Sequence, residues 1–298
     1  MNRLPQKLLD SLEQVKGFNR QQFIRAHEEK LPLTSIRINP AKISFEEFRN
    51  VSEFSFLKQV PWSAYGYYLN QRPSFTFDPL FHAGCYYVQE PSSMFVEQAL
   101  KQLMDLSKPL KVLDLCAAPG GKSTHIQSLL SKESLLVTNE VIKSRCNILI
   151  DNIIKWGADN VIVTNNDPVA FQKLPGFFDI ILVDAPCSGS GLFRKDEDAI
   201  NEWSSNNVQL CCQRQQRILA DVLPALRENG LLIYSTCSYS KEEDEDIMNW
   251  LEDEFELKNE PLNIQPGWNI IETEIPFGYR FFPDQVEGEG LFLACFRK

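Results

Sequence analysis

The sequence predicts a doubly wound α/β fold, a mostly parallel sheet with helices on both faces, preceded by a small α+β domain. Three observations carry the expectation. From about residue 86 short apolar runs of strand length alternate with helical stretches. A glycine-rich loop, several acids and two cysteines sit just after those runs, at the edge where such sheets bind ligands. Ahead of residue 80 the pattern differs, with two amphipathic segments and an aromatic stretch.

The amphipathic segments span 6–15 and 20–29; Leu8, Leu9, Leu12 and Val15 recur at helical spacing in the first. Residues 34–40 alternate as a strand closed by Pro40. A loop-rich stretch follows, with Trp62, Tyr65, Tyr67, Tyr68, Phe75, Phe77 and Phe81. A boundary near residue 80 divides an N-terminal domain, 1–80, from the domain of alternating strands and helices, 81–298. In the second part the expected strands are 111–115, 135–139, 161–164, 179–183 and 231–235, with helices such as 122–131 and 208–227 between them. Residues 290–296 read as one more strand, and with no helical crossover before it antiparallel pairing is expected.

Composition narrows the class. The chain has 298 residues, 43% hydrophobic and 23% charged, as in ordinary globular proteins. No apolar run approaches the roughly 20 residues that cross a bilayer. The opening residues have no apolar core followed by a small-residue cleavage site, so a cytoplasmic location is expected. Eight cysteines (85, 116, 146, 187, 211, 212, 237 and 295) form no CxxC pair, and no histidine stands at zinc-ligand spacing, so no metal is expected. Cys85, Cys146, Cys211, Cys212 and Cys295 read as small buried hydrophobes. The net charge of -10 is uneven: residues 1–50 hold nine Lys/Arg against six Asp/Glu, residues 241–298 five against fifteen. The amino-terminal part, with Arg20, Arg25 and Arg37, is therefore expected to face a phosphate backbone.

The loop after the first expected strand, Cys116-Ala117-Ala118-Pro119-Gly120-Gly121-Lys122-Ser123, ends like a P-loop. That motif requires glycine at position 116, and Pro119 removes a donor that phosphates would use. Acids at strand ends discriminate better. Glu140 ends the second strand, where a carboxylate suits the two hydroxyls of a ribose. Asp167 ends the third, within reach of an adenine amino group, and Asp184 ends the fourth. A ligand with a ribose, an adenine and a cationic group fits such a ring, and S-adenosylmethionine has all three, whereas ATP would bring phosphates into it. Any one of these acids alone is as well explained as a helix N-cap.

Cys187 lies in the loop after the fourth strand (Asp184-Ala-Pro-Cys-Ser-Gly) and Cys237 in that after the fifth (Tyr234-Ser-Thr-Cys-Ser-Tyr). Carbon 5 of cytosine attacks a methyl group only after a thiolate has added to carbon 6, a covalent route that divides one hard step into two. A thiolate needs positive charge nearby, for which Lys122 and a sulfonium are candidates. One such cysteine would read as a core thiol; two in Gly/Ser-rich strand-end loops read as chemistry.

These residues carry a resemblance to the NOL/NOP/Sun family of RNA cytosine-5 methyltransferases, most closely to its bacterial members of the RsmF type that act on 16S rRNA. The matching pieces are 116–123, Glu140, Asp167, 184–196, 234–246 and 287–298, with 87–94 and Arg37-Ile-Asn39 ahead of them. The resemblance implies the S-adenosylmethionine-dependent, Rossmann-like methyltransferase fold. It implies Cys237 as nucleophile, Cys187 assisting release of the base, Asp184 hydrogen-bonding the cytosine, and Lys122 near cofactor loop and base. It assigns the cofactor to Cys116, Ala117, Ala118, Pro119, Gly120, Gly121, Lys122, Glu140, Asp167 and Asp184. The implied partner is an RNA, ribosomal first and transfer RNA second, with no membrane and a monomeric enzyme. Many RsmF-type proteins continue into a further RNA-binding domain; this chain stops at Lys298, so RNA affinity is expected to draw on such a part or on an assembled substrate. Two rivals remain at this point. In a DNA cytosine-5 methyltransferase Cys187 would attack, which leaves Cys237 unexplained. An RNA-binding assembly factor would not need both cysteines and Asp184.

Overall fold

The computed structural model describes residues 4–29 and 33–298. The chain forms two compact units, 33–167 and 1–32 with 168–298. Compactness thus groups the amino-terminal helices with the carboxyl-terminal half, a different division from one at residue 80.

Helices α1 (Gln6–Ser11) and α2 (Arg20–Glu29) match the two amphipathic segments, the first ending sooner than expected. Their apolar faces supply Leu8, Leu9, Leu12 and Phe23 to a core shared with Phe193, Trp203, Val208, Tyr239 and Phe282. The Tyr239 ring stacks on Phe282 at 5.6 Å and meets Phe23 edge-on at 5.1 Å.

In the unit 33–167, β1 (Thr34–Ile38), β2 (Phe56–Gln59), β3 (Gly66–Leu69) and β4 (Tyr86–Val88) make an antiparallel sheet in the order β2-β3-β1-β4. The stretch expected to be loop-rich therefore contains strands, and its rings are mostly core. Phe45 stacks on Tyr67 at 4.1 Å, and Phe48, Phe54 and Tyr86 meet edge to face. Strands of three or four residues are too short to show alternation, which is why the aromatic content alone was visible. Helix α3 (Phe45–Val51) starts on a capping box between Ser44 and Glu47.

The same unit continues with β5 (Lys111–Asp114), β6 (Leu135–Asn139) and β7 (Val161–Thr164), paired in parallel. The unit 1–32 with 168–298 holds β8 (Phe178–Asp184) parallel to β9 (Leu226–Thr236). The strand at the chain's end, Leu291–Arg297, pairs antiparallel with β9, as expected. Ile180, Ile181, Leu182 and Val183 are all fully buried, the continuous apolar run of a strand covered on both faces. This mostly parallel arrangement is the S-adenosylmethionine-dependent methyltransferase fold that the sequence predicted. The long helix Ser205–Val222 starts on a Ser204 cap and buries Val208, Cys211, Gln215, Ile218, Leu219 and Val222 on one face. No helix among the described residues is long and apolar enough to cross a membrane.

Candidate active site

The loop 116–120 leaves β5 and turns into the helix Gly121–Leu129. Gly120 has φ 109°, a left-handed conformation that glycine adopts without a steric penalty. The carbonyls of this turn are held from outside. Arg145 donates to the Ala118 carbonyl at 2.8 Å and Asn152 to that of Pro119 at 2.8 Å. Arg37 donates to the Gly121 carbonyl at 3.3 Å and to the Thr124 hydroxyl at 2.6 Å. Ala117 N–H is bonded to the Asn139 carbonyl at 2.8 Å. Ala117, Ala118 and Gly120 are buried, Cys116, Gly121 and Lys122 partly so, and Pro119 is exposed.

Arg37 corrects an expectation. It is fully buried, donates also to Gln89 at 2.7 Å, and lies 4.5 Å from the centre of the Trp156 ring. Burial lowers its pKa to about 9. It faces no phosphate; it braces the loop. Arg20 is likewise engaged, with Asp10 at 2.7 Å and with Glu13, which leaves Arg25 as the exposed one of the three.

Glu140 directly follows β6 and is 2% exposed. Its Oε1 accepts from the Ile142 N–H at 2.9 Å, while Oε2 is buried, accepts no hydrogen bond, and has Arg145 Nη1 at 3.5 Å. A buried oxygen with spare lone pairs is costly unless a ligand uses it, and a ribose diol supplies suitable donors. The residues present thus fit the cofactor expected. Asp167 lies in the loop beyond Thr164, partly buried.

In the other unit Asp184 is the last residue of β8, and its Oδ1 accepts from the Ser235 hydroxyl at 2.7 Å. The two cysteines meet: Cys187 Sγ is 3.0 Å from Cys237 Sγ, both partly buried. That is well beyond a disulfide bond, about 2.05 Å, and is a thiol hydrogen-bonding distance. The hydrogen bond to Cys237, burial and the nearby Glu243 carboxylate push the Cys187 thiol well above its usual pKa. Cys146, Cys211 and Cys295 are buried and Cys85 and Cys212 partly buried, all as free thiols. Among the described residues no cluster of three or more His, Cys, Asp or Glu side chains could hold a metal ion.

Behind the cysteines stand residues that sequence reasoning did not single out. Buried Glu243 receives hydrogen bonds from Ser188 and Ser238, and buried Asp244 accepts from Thr236 at 2.6 Å and pairs with Arg280 at 3.0 Å. In sequence they belong to the run Glu242–Asp246, which reads as a solvated acidic surface. The apolar Ile247 and Met248 just beyond were the available signal that this turn packs inward.

A family model described as "16S rRNA methyltransferase RsmB/F" matches residues 101–297, and one described as "N-terminal domain of 16S rRNA methyltransferase RsmF" matches 4–91. The chain belongs to the RsmB/F family of 16S rRNA methyltransferases. This family is S-adenosylmethionine-dependent, in keeping with the cofactor expected from the loop and the acids. Among similar curated proteins, the ribosomal RNA small subunit methyltransferase F of Psychromonas ingrahamii is 36% identical over 99% of this chain and 63% of its own length. The chain therefore spans somewhat under two thirds of the relatives it matches. A methyltransferase homolog protein from Pyrococcus horikoshii superposes with a TM-score of 0.77 at 30% identity, covering 99% of this chain and all (100%) of its own. The NSun6 of Pyrococcus horikoshii, solved with SFG, an S-adenosylmethionine analogue, has a TM-score of 0.83, covers 99% of this chain and 98% of its own, and at 20% identity attests the fold alone.

Proposed function

We propose that this RsmB/F family member transfers a methyl group from S-adenosylmethionine to carbon 5 of a cytosine in 16S rRNA, through a covalent bond between Cys237 and carbon 6. The observation that carries the reading is the pair of sulfurs 3.0 Å apart, one on each of two strand-end loops. A core pair would need no such arrangement of Gly/Ser-rich loops, and a single nucleophile would need no second thiol.

The Cys237 sulfur adds to carbon 6, and the electron pair of the 5,6 double bond moves so that carbon 5 becomes nucleophilic. Bound S-adenosylmethionine supplies the electrophilic methyl group. Cys187 then assists loss of the carbon 5 proton; the carbon 6–sulfur bond breaks and the Cys237 thiolate is recovered. Asp184, fixed by Ser235, hydrogen-bonds the cytosine ring and supports its protonation during attack. Lys122 contributes positive charge near cofactor and base. Glu140 takes the ribose hydroxyls and Asp167 the adenine amino group, and the loop 116–122, braced by Arg37, receives the rest. The division into a substrate part, 1–80, and a catalytic part, 81–298, belongs to the same proposal, as do a cytoplasmic location and a monomeric enzyme.

The test is adduct formation on radiolabelled RNA containing the target cytosine. Cys237→Ala should neither methylate nor form an adduct. Cys187→Ala should add to the base, transfer the methyl group and stall as a protein–RNA adduct that survives denaturing electrophoresis. An adduct in the Cys237 variant with none in the Cys187 variant would instead support the DNA-type mechanism and overturn the proposal.

A further inference from the structure

The buried carboxylate of Glu243 connects the two cysteine loops. Its Oε1 accepts from the Ser188 N–H at 2.8 Å and from Gln215 Nε2 at 3.1 Å. Its Oε2 accepts from the Ser188 hydroxyl at 2.5 Å and from the Ser238 hydroxyl at 2.6 Å. Ser188 follows Cys187 and Ser238 follows Cys237, and their two hydroxyl oxygens are 3.4 Å apart. Each carboxylate oxygen thus holds two donors, which leaves no free lone pair for acid–base work. Burying an acid is costly unless hydrogen bonds offset it, and burial does push the Glu243 pKa up against those bonds. A residue retained at that cost, spanning both loops, has a geometric task.

We propose that Glu243 is the positioning residue of the cysteine pair: one carboxylate, gripped by the serine after each cysteine, fixes the distance between the two sulfurs. The inference rests on the function proposed above for its purpose, although the clamp itself is independent of RNA. It acts through Ser188 and Ser238 and touches no substrate. Because the task is geometric, glutamine should serve: its oxygen can take the Oε1 position for the Ser188 and Gln215 N–H groups. Its NH2 can then donate to the two hydroxyls, which rotate to accept.

Phenylarsine oxide tests this without RNA, because one arsenic takes two nearby thiols with loss of water. The full chain should bind it across Cys187 and Cys237, identified by peptide mass mapping and abolished by Cys187→Ser. Glu243→Ala should weaken that binding by at least about ten-fold, as the second thiol loses its effective concentration. It should also lower kcat by about a hundred-fold, the cost of a misplacement near 1 Å, with KM for RNA and S-adenosylmethionine affinity unchanged. Glu243→Gln should restore most of both. Wild-type arsenical affinity in the alanine variant, or a glutamine variant as impaired as alanine, would overturn the clamp. If the alanine variant does not fold, Ser188→Ala and Ser238→Ala each remove one arm; each should weaken arsenical binding, and full affinity in both would overturn it equally. Failure of the proposed function would appear elsewhere, as a wild-type protein that binds the arsenical but methylates no RNA, with no adduct formed by Cys187→Ala.

Discussion

Arg37 Nη2 donates to the Thr124 hydroxyl at 2.6 Å, and that hydroxyl lies 2.8 Å from the Gly120 carbonyl, so a buried guanidinium reaches the turn of the cofactor loop through one side chain. Arg37→Met keeps much of the packing on Trp156 and removes every donor. It should weaken S-adenosylmethionine binding by about 1–3 kcal/mol, the range for lost bonds to a charged group. The salt dependence of RNA binding should not change, because no phosphate contact is lost. Calorimetry and a salt titration measure the two. Full cofactor affinity together with a salt slope reduced by about 1 would return Arg37 to the RNA interface.

Glu140 offers a second handle on cofactor binding. Its Oε2 accepts no hydrogen bond within the protein, so Glu140→Ala removes an acceptor open to a ligand, together with the Oε1 bond from the Ile142 N–H and the Arg145 contact at 3.5 Å. The expected loss in S-adenosylmethionine affinity is about 1–3 kcal/mol. Binding of ATP with magnesium, in either protein, should be undetectable by the same calorimetry. Unchanged affinity in the variant would remove Glu140 from the ribose.

The strands that carry these residues were legible from short apolar, β-branched runs between helical stretches, of which Ile180–Val183 is buried on both faces; 135–139 and 161–164 fall where expected to the residue. The ligand edge followed from them, since acids and cysteines are placed by the strand ends. Of the small sheet only β1 was legible, in the strand expected at 34–40; β2, β3 and β4 were not, because they are three or four residues long and their rings mask any alternation. The role of Arg37 was missed for a different reason: a basic residue in a basic segment reads as surface, and only the folded chain shows it buried against Trp156. Glu243 and Asp244, both fully buried, were not singled out, because they stand in an unbroken run of acids, 242–246. A local pattern cannot say which charges of a run turn inward.

His125 makes stability pH-dependent. It is fully buried and donates from Nε2 to Glu97 Oε2 at 2.9 Å, which its neutral form can do. Burial, and then the charge of Arg37, lower its pKa to about 4. Between the unfolded value near 6.5 and the folded value of about 4 the unfolded chain binds the proton first, so stability falls as pH falls through that window. Burial pushes Glu97 up, but bonds from His125 and Lys101 prevail and hold it at about 2, so its own contribution is lost only below the ordinary carboxyl range. From about pH 7 to about pH 5 the histidine should cost about 2 kcal/mol, at 1.36 kcal/mol per unit. Urea unfolding at both values measures it, and His125→Gln should flatten the difference. An equal drop in the variant would place the dependence elsewhere.

Two glycines of the Cys187 loop should separate strain from displacement. Gly191 donates to the Cys237 carbonyl at 2.8 Å and accepts from Gly290 N–H at 3.2 Å, so it is wedged between two backbones. A Cβ there would lie 2.7 Å from the Cys237 carbonyl oxygen and 2.8 Å from that of Gly290, and neither can yield as a flexible side chain would. Gly189 has φ 76° and nothing within 4 Å of such a Cβ. Gly189→Ala should therefore cost only the backbone strain, about 1–3 kcal/mol, and still form the RNA adduct when combined with Cys187→Ala. Gly191→Ala should cost a similar amount by overpacking, but it must also move Cys237, and in the same background its adduct should be lost. Thermal unfolding and adduct yield together make the comparison. Equal adduct yields at matched stability would mean that the position of Cys237 does not depend on this contact.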